Sequence, residues 1–199
     1  MHVFLISMPV NSPRRESGLR QIKATGLSFE IVDGVQARRW RKEELPCEKG
    51  SWLKPGEVGC YLAHLHALQR IVDYEMPWAC VLEDDFCYEA NPDFGLVEIE
   101  SYLPTDFDYV HLQRDCGWNP DFKVLEGGKY FERIHGTPWG TVGYLISQRL
   151  CRLILRDHTL CKLPIDKLFD QLSPEGIFYR TVKPLVGAHN GFGSDVHGT

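Results

Sequence analysis

The sequence predicts an α/β sandwich with a central, mainly parallel β-sheet. Three observations support this class. The chain opens with an apolar strand, a helix and a second strand. An amphipathic helix later leads directly into a buried strand that ends at Glu83, and strands and helices continue to alternate as far as residue 156. Strands separated by helices of this length usually pair in parallel through right-handed crossovers.

The first unit is a strand, a helix and a strand. Val3 to Met8 is an apolar run that predicts a buried strand. Ser12 followed by Pro13 is a typical helix start, because a Ser side chain caps free backbone N–H groups and Pro fits the first helical position. Gly26 predicts the end of that helix. Phe29 to Val32 predicts the second strand, which closes in an Asp-Gly turn.

The middle of the chain combines an irregular segment with a long helix. Residues 35–54 are mixed in charge and predict a loop with one short helix. From about Glu57 to Tyr74, apolar residues recur at steps of three and four, which predicts a packed amphipathic helix. These apolar positions are Val58, Leu62, Leu65, Leu68 and Val72. The next strand runs from Trp78 to Glu83.

The second half of the chain predicts further strands and helices around the same sheet. We expect a helix near residues 94–102 and a strand at 109–112. Alternating aromatic and polar residues around a Gly-Gly pair predict a hairpin within residues 120–135. Residues 141–146 predict another strand, and residues 148–156 another helix.

Composition favours one globular domain over residues 1–199 and excludes several classes. The chain has a formal net charge of −5 and no long Lys/Arg block, so nucleic acid is not an expected partner. No stretch reaches the ~20 apolar residues of a transmembrane helix. The seven cysteines lack C-x-x-C spacing and predict reduced thiols. Together with the lack of a signal peptide, they predict a cytoplasmic protein.

The strongest functional signal is the acidic triplet Glu83-Asp84-Asp85 at the end of a buried strand. Side chains alternate along a strand, so we expect Glu83 and Asp85 to share one hard divalent cation while Asp84 faces elsewhere. Ligands of open α/β sheets bind at the carboxyl ends of the strands. This rule places Arg14 and Arg15 on the same rim, where they would bind a phosphate-bearing substrate. A solvated acidic turn is the alternative.

Five blocks in order along the chain resemble one known family. The blocks are Ile6-Ser7-Met8-Pro9 with Arg14-Arg15, Gly56 to Leu65, Pro77 to Asp85, Gly136-Thr137 with Gly143 to Ser147, and Leu163-Pro164-Ile165-Asp166. This arrangement resembles glycosyltransferase family 25, the lipooligosaccharide galactosyltransferase-like enzymes. Ala63 departs from the pattern, since Ser is expected before the histidine. The C-terminal region is also shorter than in bacterial members, which bears on acceptor recognition.

The resemblance implies a GT-A type nucleotide-sugar fold and inverting transfer of a sugar, commonly galactose, from a UDP-sugar to a hydroxyl of a glycan acceptor. It implies a role in lipooligosaccharide or lipopolysaccharide biosynthesis, with peripheral membrane contact through a lipid-linked acceptor. Mn²⁺ or Mg²⁺ would be held by Glu83 and Asp85. The expected donor-binding residues are Pro9, Arg14, Arg15, Glu83 and Asp84.

Inversion requires a base for the acceptor hydroxyl. Asp166 is the first candidate, although it could instead cap the helix that follows it. Asp115 is the second candidate. His189 or His197 could add a metal ligand, and Trp139 and Tyr144 could stack on a sugar, although core packing is the alternative use of these aromatics.

Two other functions compete with the transferase. One is a catalytically degenerate module of the same fold that binds nucleotide sugars, and the other is a metal-dependent enzyme acting on phosphate esters.

Overall fold

The computed structural model describes residues 1–10, 12–89, 91, 93–113 and 119–189. Four α-helices and ten strands are described in this part of the chain. The helices are α1 (Pro13–Thr25), α2 (Pro55–Asp73), α3 (Gln148–Asp157) and α4 (Ile165–Leu172). The strands are β1 (His2–Ser7), β2 (Ser28–Asp33), β3 (Trp78–Glu83), β4 (Phe86–Tyr88), β5 (Tyr109–His111), β6 (Lys123–Glu126), β7 (Phe131–His135), β8 (Gly143–Ser147), β9 (Phe178–Thr181) and β10 (Val186–Ala188).

Eight of the described strands form the central sheet in the order β2-β1-β3-β8-β5-β9-β7-β6. Strand β1 pairs in parallel with both β2 and β3, and β5 pairs in parallel with β9. Strands β8 and β7 run against their neighbours. The remaining strands of the sheet therefore share one direction, and the predicted mainly parallel α/β sheet is confirmed. Strands β4 and β10 form a separate antiparallel pair.

Both faces of the sheet are buried, as expected for a sheet with mainly parallel strands. Alternate residues of β1 enter opposite cores: Phe4 packs with α2, α3 and α4, whereas Val3 packs with Ile22 of α1. The helix boundaries follow the predicted signals. The Ser12 side chain accepts a hydrogen bond from the Arg15 N–H, and Gly26 ends α1 with a left-handed φ of 70°, which costs glycine little.

The structure corrects several sequence predictions. The helix expected near residues 94–102 is wrong, because only a 3₁₀ turn forms there, at Ile99–Ser101. Gly95 lowers the helix propensity of this short segment, while Phe94 and Ile99 are buried without a helix. The irregular segment contains two 3₁₀ turns rather than one short helix, at Ala37–Arg39 and Lys42–Glu44.

Other elements match or extend the predictions. The hairpin expected within residues 120–135 is confirmed as β6 and β7. The short strands β4, β9 and β10 were not predicted. In the described part of the chain, no helix has the combination of length and apolar character that crossing a membrane requires.

Candidate active site

A cavity of about 280 Å³ opens at the carboxyl ends of β1, β2 and β3. This is the edge at which open α/β sheets bind ligands. The cavity is bounded by the ends of these strands, the segment after β2, the first turn of α1 and the N-terminal half of α2. Its lining residues are Ile6, Ser7, Met8, Arg14, Gly34, Val35, Gln36, Ala37, Arg38, Arg39, Gly56, Gly59, Cys60, Ala63, His64, Glu83 and Asp84.

The acidic triplet lies at one wall of this cavity. Strand β3 ends at Glu83, and Asp84 and Asp85 form the turn into β4. Asp84 is only 3% exposed. Its Oδ2 accepts a 2.6 Å hydrogen bond from Ser7 Oγ, and its Oδ1 accepts one from Arg14 Nε. Asp84 therefore faces β1 and α1, and its carboxylate is occupied in fixing the turn.

Arg14 lies among all three carboxylates of the triplet. Its Nη2 lies 3.2 Å from Asp85 Oδ1 and 3.8 Å from Glu83 Oε2, while its Nε contacts Asp84. The expectation that Glu83 and Asp85 approach a common position agrees with this geometry, since one guanidinium nitrogen lies close to both. Arg14 supplies the positive charge that three neighbouring carboxylates require.

Buried polar groups contact Oε1 of Glu83 and orient its carboxylate. Its Oε1 accepts a 2.6 Å hydrogen bond from Thr141 Oγ1 and lies 3.4 Å from His64 Nε2. The other ring nitrogen of His64 lies 2.8 Å from the hydroxyl of Tyr144. Burial works to raise the pKa of Glu83, but the contacts from His64, Thr141 and Arg14 outweigh it and lower that pKa. Glu83 is thus kept ionised, with Oε2 on the Arg14 side.

Asp85 is the least satisfied acid of the triplet. Its Oδ1 is buried and receives no well-aligned hydrogen bond from any residue in the described ranges. Burial, followed by the negative charge of Glu83, raises the pKa of Asp85 to about 7. An underused carboxylate oxygen beside a second carboxylate is a suitable ligand for a hard divalent cation. The donor set therefore fits the predicted Mn²⁺ or Mg²⁺.

Two other residues expected at the donor diphosphate, Arg15 and Pro9, do not line the cavity. Arg15 Nη1 donates a 2.7 Å hydrogen bond to the Met8 carbonyl and lies 3.8 Å from Asp33. Arg15 thus holds the segment that follows β1 and does not line the cavity. Pro9 is exposed in that segment, also outside the lining. Arg38 and Arg39, from the basic run of the irregular segment, do line it.

Helix α2 contributes Cys60 and His64 to the cavity wall. It approaches the segment after β2 closely at Gly59, where a Cβ atom would meet the carbonyl oxygen of Val35. Burial is the main cause that raises the pKa of the Cys60 thiol, and the negative charges of Glu83, Asp166 and Asp85 add to it. The positive charge of Arg14 acts on this thiol in the opposite direction.

Asp166 is close enough to Cys60 for its negative charge to contribute to the raised pKa of that thiol. Asp166 lies in the first turn of α4, where Oδ2 accepts a 3.2 Å hydrogen bond from the Gly140 N–H and Oδ1 a 2.9 Å bond from the Lys167 N–H. Two backbone donors thus fix its carboxylate. The alternative that Asp166 caps a helix beginning near Lys167 is corrected, because α4 begins at Ile165 with Pro164 as its N-cap residue. Asp115 lies outside the described residues.

The remaining candidate residues are two possible metal ligands, His189 and His197, and one possible sugar-stacking residue, Tyr144. His189 follows β10, and its backbone N–H donates a 2.7 Å hydrogen bond to the Asp85 carbonyl, so it lies beside the triplet. His197 lies outside the described residues. Tyr144 is fully buried between His64, Tyr109 and Phe169, so it packs in the core and cannot stack on a sugar.

Trp139 remains partly buried, with the Lys167 ammonium over one face of its ring. That contact covers one face of the indole ring, and stacking of a sugar on Trp139 stays a prediction.

Sequence reasoning missed three residues that shape the site. Ser7, which bonds Asp84, is the last residue of β1, so the strand-end rule could have identified it. Cys60 was assigned only as a reduced thiol, although its i, i+4 spacing to His64 places both on one helix face. Thr141 had no sequence signal, because its contact with Glu83 depends on β8 pairing with β3.

Comparison with known proteins agrees with this architecture. The sequence profile described as glycosyltransferase family 25 (LPS biosynthesis protein) matches residues 1–169. A glycosyltransferase 25 family member from Anopheles gambiae is 26% identical over 83% of this chain, and procollagen galactosyltransferase 1 from Danio rerio gives the same values. A probable inactive glycosyltransferase 25 family member 3 from Bos taurus is 25% identical over 97% of the chain.

These relatives are longer proteins, because the aligned region covers 30%, 30% and 37% of their respective lengths. Among solved structures, a glycosyltransferase involved in glycosylation of the major capsid of PBCV-1 superposes with a TM-score of 0.53 at 11% identity. That match covers 96% of this chain and 93% of the other. UTP-bound UGPase from Acinetobacter baumannii superposes with a TM-score of 0.50 at 13% identity, covering 90% and 85%.

The structural likenesses establish a GT-A-like fold, as the family resemblance implied. The profile match spans the strands, helices and acidic triplet that build the cavity. This chain belongs to glycosyltransferase family 25.

Proposed function

We propose that this protein is a metal-dependent, inverting glycosyltransferase that moves galactose from a UDP-sugar to a hydroxyl of a glycan acceptor. The proposal is supported mainly by one observation. The cavity at the carboxyl ends of β1, β2 and β3 reaches the acidic triplet, which lies beside Arg14. A nucleoside needs an enclosed pocket, and its diphosphate needs cations nearby. Both requirements are met within one continuous surface.

The nucleoside part of the donor binds between the end of β1 and the segment after β2 in this proposal. Ile6 to Met8 and Gly34 to Gln36 line that part of the cavity and would surround the base and ribose. Arg38 and Arg39 supply positive charge for the diphosphate. Arg14 adds a further positive charge on the side of the triplet.

Glu83 and Asp85 are the residues that would hold the divalent cation. When bound, Mn²⁺ or Mg²⁺ supplies Lewis-acid stabilisation to the departing diphosphate. The protein's own contribution is to keep Glu83 ionised and oriented through His64 and Thr141. Asp84 serves the turn, and we assign it no ligand role.

Asp166 is the proposed base for the acceptor hydroxyl. Inversion requires the acceptor oxygen to attack the anomeric carbon from the side opposite the leaving diphosphate, so its proton must pass to a fixed group on that side. Asp166 comes from α4, on a different element from the donor-binding residues, and its carboxylate is held by two backbone N–H groups. Such a fixed carboxylate can orient an acceptor hydroxyl and receive its proton.

The proposed donor and acceptor follow from the relatives' names and the family description. Several relatives are named procollagen galactosyltransferases, which favours galactose as the transferred sugar. The description of the family as an LPS biosynthesis protein favours a sugar of a lipooligosaccharide or lipopolysaccharide as acceptor. A lipid-linked acceptor would bring the protein into peripheral contact with a membrane.

Calorimetric titration of UDP, UDP-galactose and UDP-glucose, first with Mn²⁺ and then with EDTA, tests the donor proposal. We expect binding that requires the metal and is tighter for UDP-galactose than for UDP-glucose. Absence of binding under both conditions would overturn it. Release of UDP from UDP-galactose, with the acceptor absent and then present, tests for transfer.

A catalytically degenerate binding module is the second candidate. One specific observation favours it, namely that the relative from Bos taurus covering 97% of the chain is named probable inactive. This alternative predicts tight UDP binding without UDP release from UDP-galactose. Measured turnover with any acceptor would exclude it.

A further inference from the structure

We propose that Cys60, His64 and Glu83 form a second cation site, selective for a borderline-soft ion such as Zn²⁺, at the inner end of the cavity. The three residues offer a sulfur, an imidazole nitrogen and a carboxylate oxygen that all lie within 4.8 Å of one another. Thiolate and imidazole ligands favour Zn²⁺ over Mg²⁺ and Mn²⁺, which prefer oxygen donors. This site is therefore chemically distinct from the Glu83 and Asp85 pair.

The backbone places these ligands without distortion. Cys60 and His64 are four residues apart on α2, so both project from one face of the helix towards the cavity. Glu83 approaches from the end of β3. The distance between His64 Nε2 and Glu83 Oε1 is 3.4 Å, and two ligands bound tetrahedrally at ~2.05 Å from zinc would be roughly 3.3–3.4 Å apart.

His64 is already oriented as a metal ligand. The side chain is fully buried, and Nε2 makes no hydrogen bond of normal geometry within the described part of the chain. Its other ring nitrogen is held 2.8 Å from the Tyr144 hydroxyl, which acts as the outer partner that metal-binding histidines usually have. Nε2 and Glu83 Oε1 face each other at 3.4 Å without a well-aligned hydrogen bond, so a cation bound between these two atoms would satisfy both.

Occupation of this site would compete with the catalytic cation. Glu83 belongs to both donor sets, so an ion at Cys60 and His64 would share its carboxylate with an ion at Asp85, and the two positive charges would repel each other. Three protein ligands leave a fourth position open, as in zinc sites that exchange ligands. Zn²⁺ is therefore an inhibitor that competes with Mn²⁺. This consequence, unlike the site itself, rests on the proposed function.

Titration of the protein with Co²⁺ in the absence of any nucleotide sugar tests the site directly. Co²⁺ replaces Zn²⁺ at such sites, and a cobalt–thiolate bond gives an intense near-ultraviolet charge-transfer band. We expect this band in the wild type, with one equivalent of Zn²⁺ abolishing it. We expect Cys60→Ser to lack the band. Cys47→Ser is the matched control and should keep the band, because it removes a thiol that contacts Cys161 and does not line the cavity.

Tyr144→Phe separates a specific site from adventitious binding. This variant keeps the ring in the core but removes the outer partner of His64, so we expect Co²⁺ affinity to fall ~10–100-fold. An unchanged band in Cys60→Ser, or unchanged affinity in Tyr144→Phe, would overturn the proposal.

A wild-type measurement covers the case in which Cys60→Ser fails to fold. Zn²⁺ should slow alkylation of Cys60 by iodoacetamide, as read by mass spectrometry of the peptide that contains it. Equal alkylation rates with and without Zn²⁺ would contradict the site. Because neither this measurement nor the Co²⁺ titration uses a donor sugar, both can fail or succeed independently of transferase activity.

Discussion

Arg14 lies where the three carboxylates of Glu83, Asp84 and Asp85 converge. A guanidinium is always charged and can contact several carboxylates at once, so it offsets most of their mutual repulsion. A bound divalent cation would take over part of that role at Glu83 and Asp85, leaving the contact with Asp84 to anchor α1. Arg14 thus joins the acidic turn to the helix in either state.

Asp85→Ala should abolish metal-dependent binding of UDP-galactose while leaving the fold intact. The residue belongs to a turn, and its Oδ1 makes no well-aligned hydrogen bond in the described structure, so little structural support is lost. Calorimetric titration with Mn²⁺ measures the effect, and circular dichroism checks the fold. Asp33→Ala removes an exposed carboxylate at the neighbouring strand end and should bind normally. Unchanged affinity in Asp85→Ala would remove this residue from the metal site.

Asp166→Asn should preserve donor affinity and lower the rate of transfer by ~10²–10⁴-fold, the usual contribution of a general base. The amide keeps the volume and the bond from Gly140 but cannot take a proton. Asp170→Asn, one turn further along α4, is the control. Its Oδ1 accepts hydrogen bonds from the Thr137 N–H and the Asn119 side chain. Because Asn can keep both bonds, this change should leave the transfer rate unaltered. Parallel losses of affinity and rate in Asp166→Asn would indicate a structural role.

Helix α2 is the element that closes the cavity, because its N-terminal half forms one wall. The helix can approach the segment after β2 only because Gly59 has no side chain facing the Val35 carbonyl. This contact fixes where Ala37 and Arg38 lie relative to the strand ends. The position of the basic segment is therefore set by one close backbone approach.

Gly59→Ala should weaken UDP binding and lower the melting temperature, since the added methyl group meets backbone that has no rotamer by which to move. We expect at least a ~10-fold loss of UDP affinity, because the displaced segment carries Arg38 and Arg39, which line the cavity. Gly127→Ala is the control, as a Cβ there meets nothing within 4 Å. Equal UDP affinity in both variants would show that the cavity wall tolerates this shift.

Elements with strong local signals were predicted well from the sequence. Helix α1 was predicted from Ser12 to Gly26, because capping and stop signals act within a few residues. Short strands such as β9 and β10 were missed, because a strand of three or four residues is specified by its pairing partner rather than by its own sequence. The acidic triplet was visible, but the Thr141 contact that orients Glu83 depends on where β8 inserts into the sheet.

Stability of the whole molecule should depend on pH through His111 in the middle of the sheet. Burial, followed by the charge of Arg180, lowers the pKa of His111 to about 3 from 6.5. The unfolded chain therefore binds a proton that the native state excludes between these pH values. Stability should fall as pH decreases from 6.5 towards 3, by up to ~1.4 kcal/mol per pH unit.

Urea unfolding of the wild type and of His111→Phe between pH 7 and pH 4 measures this contribution. The comparison is needed because Asp85, with a pKa raised to about 7 from 3.8, acts with the opposite sign in the same range. The stability difference between the two proteins isolates His111. A difference that does not change with pH would show that His111 does not titrate in this way.

The cavity lining spans residues 6–84 and draws nothing from later parts of the described chain. Asp166 and Thr141, by contrast, come from the second half. Under the proposed function, the residues that line the donor pocket therefore come from the first half of the chain, whereas the proposed base and the residue that orients Glu83 come from the second half. If the cavity binds the donor as proposed, a chimera that joins residues 1–90 of this chain to the second half of a relative should keep the donor preference of this chain.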